Sequence, residues 1–82
     1  MAAKRFVYVL RSVEGDHYYT GLTSNLQSRL AEHNEGRYDA TAAGRPWHID
    51  VVIAFSDESR AMRFERYLKT GSGCAFAKRH LR

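Results

Sequence analysis

Five consecutive apolar or aromatic residues, Phe6-Val7-Tyr8-Val9-Leu10, open the patterned part of the chain. A run without a polar face predicts a strand buried on both sides, and so a central place in its sheet. His17-Tyr18-Tyr19-Thr20-Gly21 predicts a second strand. The polar, glycine-containing stretch Val13-Glu14-Gly15-Asp16 joins the two at hairpin-loop length. Pairing Ser12 with His17 sets Leu10 opposite Tyr19 and Tyr8 opposite Gly21. Tyr8 and Tyr19 then project from one face as diagonal neighbours, roughly 7–8 Å apart at their α-carbons. The glycine leaves room beside them.

Thr23-Ser24 can cap a helix, with Ser24 and Gln27 at capping-box spacing. Leu26 to His33 is helix-forming, and Gly36 is the expected stop. Residues 37–46 carry no period and read as a loop. From Trp47 to Phe55 the chain alternates, which predicts a third strand with Trp47, Ile49, Val51, Ile53 and Phe55 on one face, lying under a helix. Ser56-Asp57-Glu58 opens a second helix whose acidic first turn suits the helix dipole. It is expected to run to about Thr70, to break at Gly71-Ser72-Gly73, and to be followed by a short basic helix from Ala75 to Leu81. The order β-β-α-β-α-α predicts an α+β fold, a small three-stranded antiparallel sheet flanked by helices.

The 82 residues suffice for one domain, spanning 1–82. Thirteen Lys and Arg against nine Asp and Glu leave a net charge of +4. That favours a polyanionic partner, nucleic acid first. Cys74 is the sole cysteine, which excludes an internal disulfide framework and a multi-cysteine zinc site and fits a reducing cytoplasm. The apolar run after Met1–Arg5 is too short for a signal-peptide core or a membrane span.

Two helical stripes carry unexpected charge. Leu26, Arg29, Leu30 and His33 follow the i, i+3, i+4, i+7 rule, so an arginine and a histidine lie on the stripe that meets the sheet. Taken singly, each is more often a stripe-edge side chain reaching outward to water. On the second helix, Ala61, Phe64 and Leu68 form the apolar stripe and Glu65 falls on its flank. Arg60, Arg63 and Arg66 point elsewhere, as solvated charges or phosphate contacts. Taken together, two phenols, an arginine, a histidine and a glutamate can converge on one cleft. Arginine grips phosphate with paired hydrogen bonds. Glutamate can hold a hard Mg²⁺ ion, and Tyr and His can move protons. Phosphodiester hydrolysis needs that set.

These residues resemble those of the GIY-YIG nucleases, in the small single-domain form. Phe6-Val7-Tyr8 stands where the family has Gly-Ile-Tyr, and Tyr19-Thr20-Gly21 where it has Tyr-Ile-Gly. Arg29 follows at the family's arginine spacing, His33 lies one helical turn later, and Glu65 takes the place of the metal-binding glutamate. The resemblance covers nearly the whole chain. It implies endonucleolytic hydrolysis of DNA with one Mg²⁺ or Mn²⁺ ion and no small-molecule cofactor. Glu65 would hold the ion, Arg29 the scissile phosphate, and Tyr8, Tyr19 and His33 would surround the attacking water. A tyrosine of pKa about 10 is only ~0.1% ionised at pH 7. A nearby cation and Arg29 could lower it toward about 7, or the ion acidifies the water itself and the phenols only position it. The reading leans to Tyr19 or His33 as proton acceptor, with Tyr8 orienting. The chain departs from the family at Phe6, at Leu22 where larger members place lysine, and near Ala77 or Lys78, where some carry asparagine.

DNA is expected along Lys69, Lys78, Arg79 and Arg82, with Arg37 and Arg45 from the loop, in salt-dependent and sequence-tolerant contact. Trp47 and Phe76 can stack bases, but core packing is the commoner role of such residues. Gly71 and Gly73 can bring backbone N–H groups to a phosphate or simply end a helix. A structure-preferring nuclease for single-stranded or branched DNA follows, with DNA repair, recombination, uptake of foreign DNA and mobile-element biology all open as its pathway. The rival reading is a nucleic-acid-binding domain of the same fold that cuts little or nothing.

Overall fold

The computed structural model describes residues 4–14 and 17–82. Gly15 and Asp16, which fall in the expected hairpin loop, and Met1 to Ala3 lie outside the described residues. The elements are β1 (Arg5–Ser12), β2 (Tyr18–Thr23), α1 (Leu26–Asn34), α2 (Asp39–Ala42), β3 (Trp47–Phe55), α3 (Glu58–Leu68) and α4 (Gly71–His80). The strands form one antiparallel sheet in the order β2-β1-β3, as the apolar run of β1 predicts. Val7, Tyr8, Val9 and Leu10 are each at most 3% exposed. Burying a Val or Leu side chain contributes about 1.5–3 kcal/mol, so the apolar gain of this small fold is concentrated on its central strand.

The two faces of β1 carry separate cores. Val7 packs with Ala61 and Leu68 of α3 and Ala77 of α4. Tyr8 and Leu10 pack with Trp47, and with Leu26 and Leu30 of α1. The sheet is therefore sandwiched, with α1 on one side and α3 with α4 on the other. The β1–β2 register is the expected one, with Leu10 opposite Tyr19 and Tyr8 opposite Gly21. The Ser12 amide donates to the His17 carbonyl at 2.9 Å.

Four expectations are corrected. The five bulky residues of β3 do not share a face. The register slips at Asp50, pairing Leu10 with Ile49 but Val9 with Val51. This β-bulge puts Trp47 and Ile49 on the α1 side and Val51, Ile53 and Phe55 on the α3 side, because one extra residue reverses a period of two. The cap of α1 is Asn25, whose Oδ1 accepts from the Ser28 amide at 3.1 Å, while the Thr23 hydroxyl accepts from the Asn25 amide. The 37–46 loop contains the short helix α2, whose Thr41 side chain is wholly buried. Lastly, α3 ends at Leu68, and Gly71 to Gly73 begin α4, capped by the Thr70 hydroxyl, which accepts from the Gly73 amide. A Cβ at Gly73 would overlap the Tyr67 carbonyl, so this glycine permits α4 to turn tightly against the end of α3.

Gly21 is fixed by a close approach. A Cβ built there would overlap the hydroxyl and ring of Tyr8. Gly21→Ala is expected to cost about 1–3 kcal/mol through overpacking. Thermal denaturation should show this as a fall in Tm of about 4–8 °C per kcal/mol. An unchanged Tm would mean that Tyr8 is not pressed on this strand.

Candidate active site

The site is assembled from β1, β2, α1 and α2 on the α1 face of the sheet. Tyr8 and Tyr19 stand side by side with ring centroids 6.4 Å apart. His33 reaches them from the last turn of α1 and is only 1% exposed. Its ring centroid lies 5.0 Å from that of Tyr19 and 4.8 Å from that of Tyr38. The stripe-edge reading thus fails for His33, which is the polar end of a buried stripe.

Both imidazole nitrogens are engaged. Nε2 is 3.0 Å from the Tyr8 hydroxyl, and Nδ1 is 2.7 Å from the Thr41 hydroxyl. The Thr41 hydroxyl has the Tyr38 carbonyl at 3.4 Å to donate to. The hydrogen-bond network then assigns the Nδ1–H tautomer, with Nε2 accepting from Tyr8. Thr41 is in turn fixed through its own carbonyl, which accepts from the Trp47 indole at 2.7 Å. Asn34 accepts from the Trp47 amide at 2.7 Å and donates to its carbonyl at 3.0 Å, tying the end of α1 to the start of β3. Among the described residues, every buried side-chain nitrogen and oxygen has a partner.

Burial sets the protonation of the inner pair. The Tyr8 phenol is pushed up to about 12, first by desolvation and then by neighbouring Tyr19, against the opposing pull of Arg29. His33 is held below its ordinary value by desolvation and by the Arg29 guanidinium, with the Glu32 carboxylate opposing. Both are neutral near pH 7.

Charge lies outside this pair. Arg29 is about one-third exposed, with Nε 3.3 Å from Glu32, and its guanidinium is 5.6 Å from the Tyr38 ring centroid. The Tyr38 hydroxyl donates to the same carboxylate at 2.7 Å, which raises the Tyr38 pKa. Sequence reading missed Thr41, Tyr38 and Glu32. Glu32 lies three residues after Arg29 on the helix, the spacing of an ion pair, but no periodicity marked the other two.

Glu65 belongs to α3, across the sheet from His33, and its side chain is 16% exposed. Lys69 links the two regions. Its ammonium is 2.5 Å from the Glu65 carboxylate and 5.9 Å from the Tyr19 ring centroid. No group of three or more His, Cys, Asp or Glu able to hold a metal ion occurs among the described residues. A lone carboxylate still suits Mg²⁺, which keeps several waters and takes further oxygens from substrate phosphate.

The residues expected to meet DNA fall into two groups. Arg37 pairs with Glu35 at 2.8 Å, Lys69 with Glu65, and Arg45 donates from Nε to the Ala42 carbonyl at 2.7 Å. Lys78 and Arg79 are exposed in the last turn of α4 and form no ion pair among the described residues. Trp47 is core, 5% exposed, and Phe76 packs beside Phe64 in the other core. Neither is a free stacking platform.

Residues 4–74 match the family model described as the GIY-YIG catalytic domain. The chain belongs to the GIY-YIG family. It is therefore a member of a nuclease family whose substrate is DNA. Among its relatives, a UPF0213 protein of Staphylococcus haemolyticus is 38% identical over 71 residues, 85% of each chain. A UPF0213 protein of Halobacterium salinarum is 41% identical over 64 residues, covering 77% of this chain and 82% of that one. The solution structure of a UPF0213 protein from Bacillus halodurans superposes with a TM-score of 0.53 at 26% identity, covering 89% of this chain and 80% of that one. No helix among the described residues is long and apolar enough to cross a membrane.

Two outcomes follow for this GIY-YIG site. Thr41→Val keeps the shape but leaves the Nδ1–H of His33 unpaired, which should cost about 1–3 kcal/mol in urea denaturation. A cost near zero would remove Thr41 from the network. For pH, the unfolded imidazole protonates near 6.5, before the folded one does as pH falls. Stability from burying neutral His33 is therefore complete above about pH 6.5 and drains away as pH drops below it. His33→Gln should lose that part of the slope in denaturation curves taken from about pH 7.5 to 5. Parallel slopes for the two proteins would contradict it.

Proposed function

We propose that the chain is a Mg²⁺-dependent endonuclease that hydrolyses phosphodiester bonds in DNA, preferring irregular or single-stranded structure over a fixed sequence. The observation that carries this reading is the convergence of Tyr8, Tyr19, His33 and Arg29 from three separate elements. Arg29, partly exposed and always cationic, is suited to bind the scissile phosphate and meet the charge that grows on it. Glu65 would hold the ion, which when bound supplies charge neutralisation at the phosphate and a more acidic water.

The proton path follows from exposure. Water does not reach His33 directly, because both its nitrogens are occupied and its ring is covered. Tyr19 is only partly buried and borders two clefts. The Tyr8 hydroxyl is covered as well, at 2% exposed, and is bonded to Nε2. This supports Tyr19 as the group that meets the attacking water and takes its proton, with Tyr8 and His33 fixed behind it as orienting residues.

One observation favours the rival, a DNA-binding domain with little cleavage: the Glu65 carboxylate is already paired with Lys69. Cleavage of labelled single- and double-stranded DNA in Mg²⁺ and in EDTA separates the two. We expect cutting only with the metal. Glu65→Ala should abolish cutting and keep DNA affinity. Arg29→Ala should lose roughly 10²–10³ in rate, and less in affinity. Metal-independent binding by wild type without any cutting would establish the rival, and wild-type rates in both variants would reject the assigned roles.

A further inference from the structure

A cleft of about 300 Å³ opens between β2 and α4, on the side of Tyr19 away from α2. Its floor is apolar: Val9, Leu68 and Ala77 line it, and all three are buried. Its rim is cationic. Lys69 and Arg82 both line it, Lys69 against the Tyr19 ring and Arg82 against that of Tyr18. The Arg82 guanidinium lies 4.5 Å from the Tyr18 ring centroid. A guanidinium stacked on a ring keeps its in-plane N–H donors free, so Tyr18 aims Arg82 rather than consuming it.

We propose that this cleft is a nucleotide subsite: it takes one unpaired base of the DNA, next to the scissile phosphate, with the flanking phosphate held by Arg82 and Lys69. The inference rests on the DNA-cleaving reading and adds to it where the substrate lies. An apolar floor edged by aromatic side chains suits the flat face of any base, and paired cations suit its phosphate. The cavity has room for one nucleotide and not for a duplex. A base can enter only if it is already single-stranded or is turned out of the stack. Tyr19 belongs to both the cleft and the site, so the subsite and the reacting centre are contiguous.

Cys74 offers a direct reporter. It lines the cleft, it is exposed, and it is the chain's only cysteine. Alkylation of the full-length protein by a maleimide, in EDTA so that nothing is cut, reads occupancy of the cleft. Fluorescence anisotropy in the same samples reads DNA binding. With a single-stranded oligonucleotide at about ten times its Kd, alkylation should slow about tenfold, in step with the free fraction. A blunt duplex of the same sequence at equal saturation should leave the rate unchanged. Tyr18→Ala should weaken single-strand binding about tenfold while leaving the Glu65→Ala phenotype as it is. Binding without protection, or equal protection by duplex, overturns the subsite and leaves the nuclease reading standing. No DNA binding at all overturns both.

Discussion

The hydrogen bond between Tyr8 Oη and His33 Nε2 is the constraint to which the rest of the structure is fitted. At 3.0 Å and with neither residue more than 2% exposed, it joins the central strand to α1 inside the core. A buried donor or acceptor left alone would cost about 1–3 kcal/mol, a large share of what a domain this small can spare. Each neighbouring feature keeps the bond in place. Gly21 makes room for the Tyr8 hydroxyl across the hairpin. Thr41 takes the other imidazole nitrogen, and the Trp47 indole holds Thr41. The bulge at Asp50 turns Trp47 to the α1 side, where it can do so.

The site is layered by charge. Its inner pair is neutral, because burial raises the phenol and lowers the imidazole. Neutral partners avoid the desolvation cost of a buried ion pair, which its Coulombic gain often fails to repay. The charged groups stand outside, in contact with water: Arg29 with Glu32, and Lys69 with Glu65. Arg29 and Lys69 keep 36% and 52% of their side chains exposed while their carboxylate partners are half-buried, so a phosphate can approach the two cations from the water side. The same arrangement that keeps the fold stable therefore leaves its cations available to a polyanion.

Much of this is legible in the residues. The apolar run of β1 placed it centrally, and the hairpin register followed from Ser12 and His17. The i, i+4 spacing put Arg29 and His33 toward the sheet. What escaped was set by contacts distant in sequence. A bulge leaves no mark on a clean alternation, so the splitting of β3 between two faces was hidden. Thr41 is an ordinary residue in an aperiodic stretch, and only the imidazole eight positions earlier gives it a role. Gly71 and Gly73 looked like punctuation, yet Gly73 is required by how closely α4 approaches the carbonyl of Tyr67. Glu65 read as a flank position, and its pairing with Lys69 is an i, i+4 contact. That Lys69 then lies over Tyr19 depends on how α3 crosses the edge strand.

Removing one oxygen from the inner pair is the sharpest measurement. Tyr8→Phe keeps the ring that fills the space beside Gly21 and deletes only the hydroxyl. Single-turnover cleavage of a labelled single strand in Mg²⁺, at protein concentrations above Kd, isolates the chemical step from binding. The account predicts a folded protein with near wild-type DNA affinity and a cleavage rate lowered by about 10² or more. A folded Tyr8→Phe protein that cuts at the wild-type rate would contradict it.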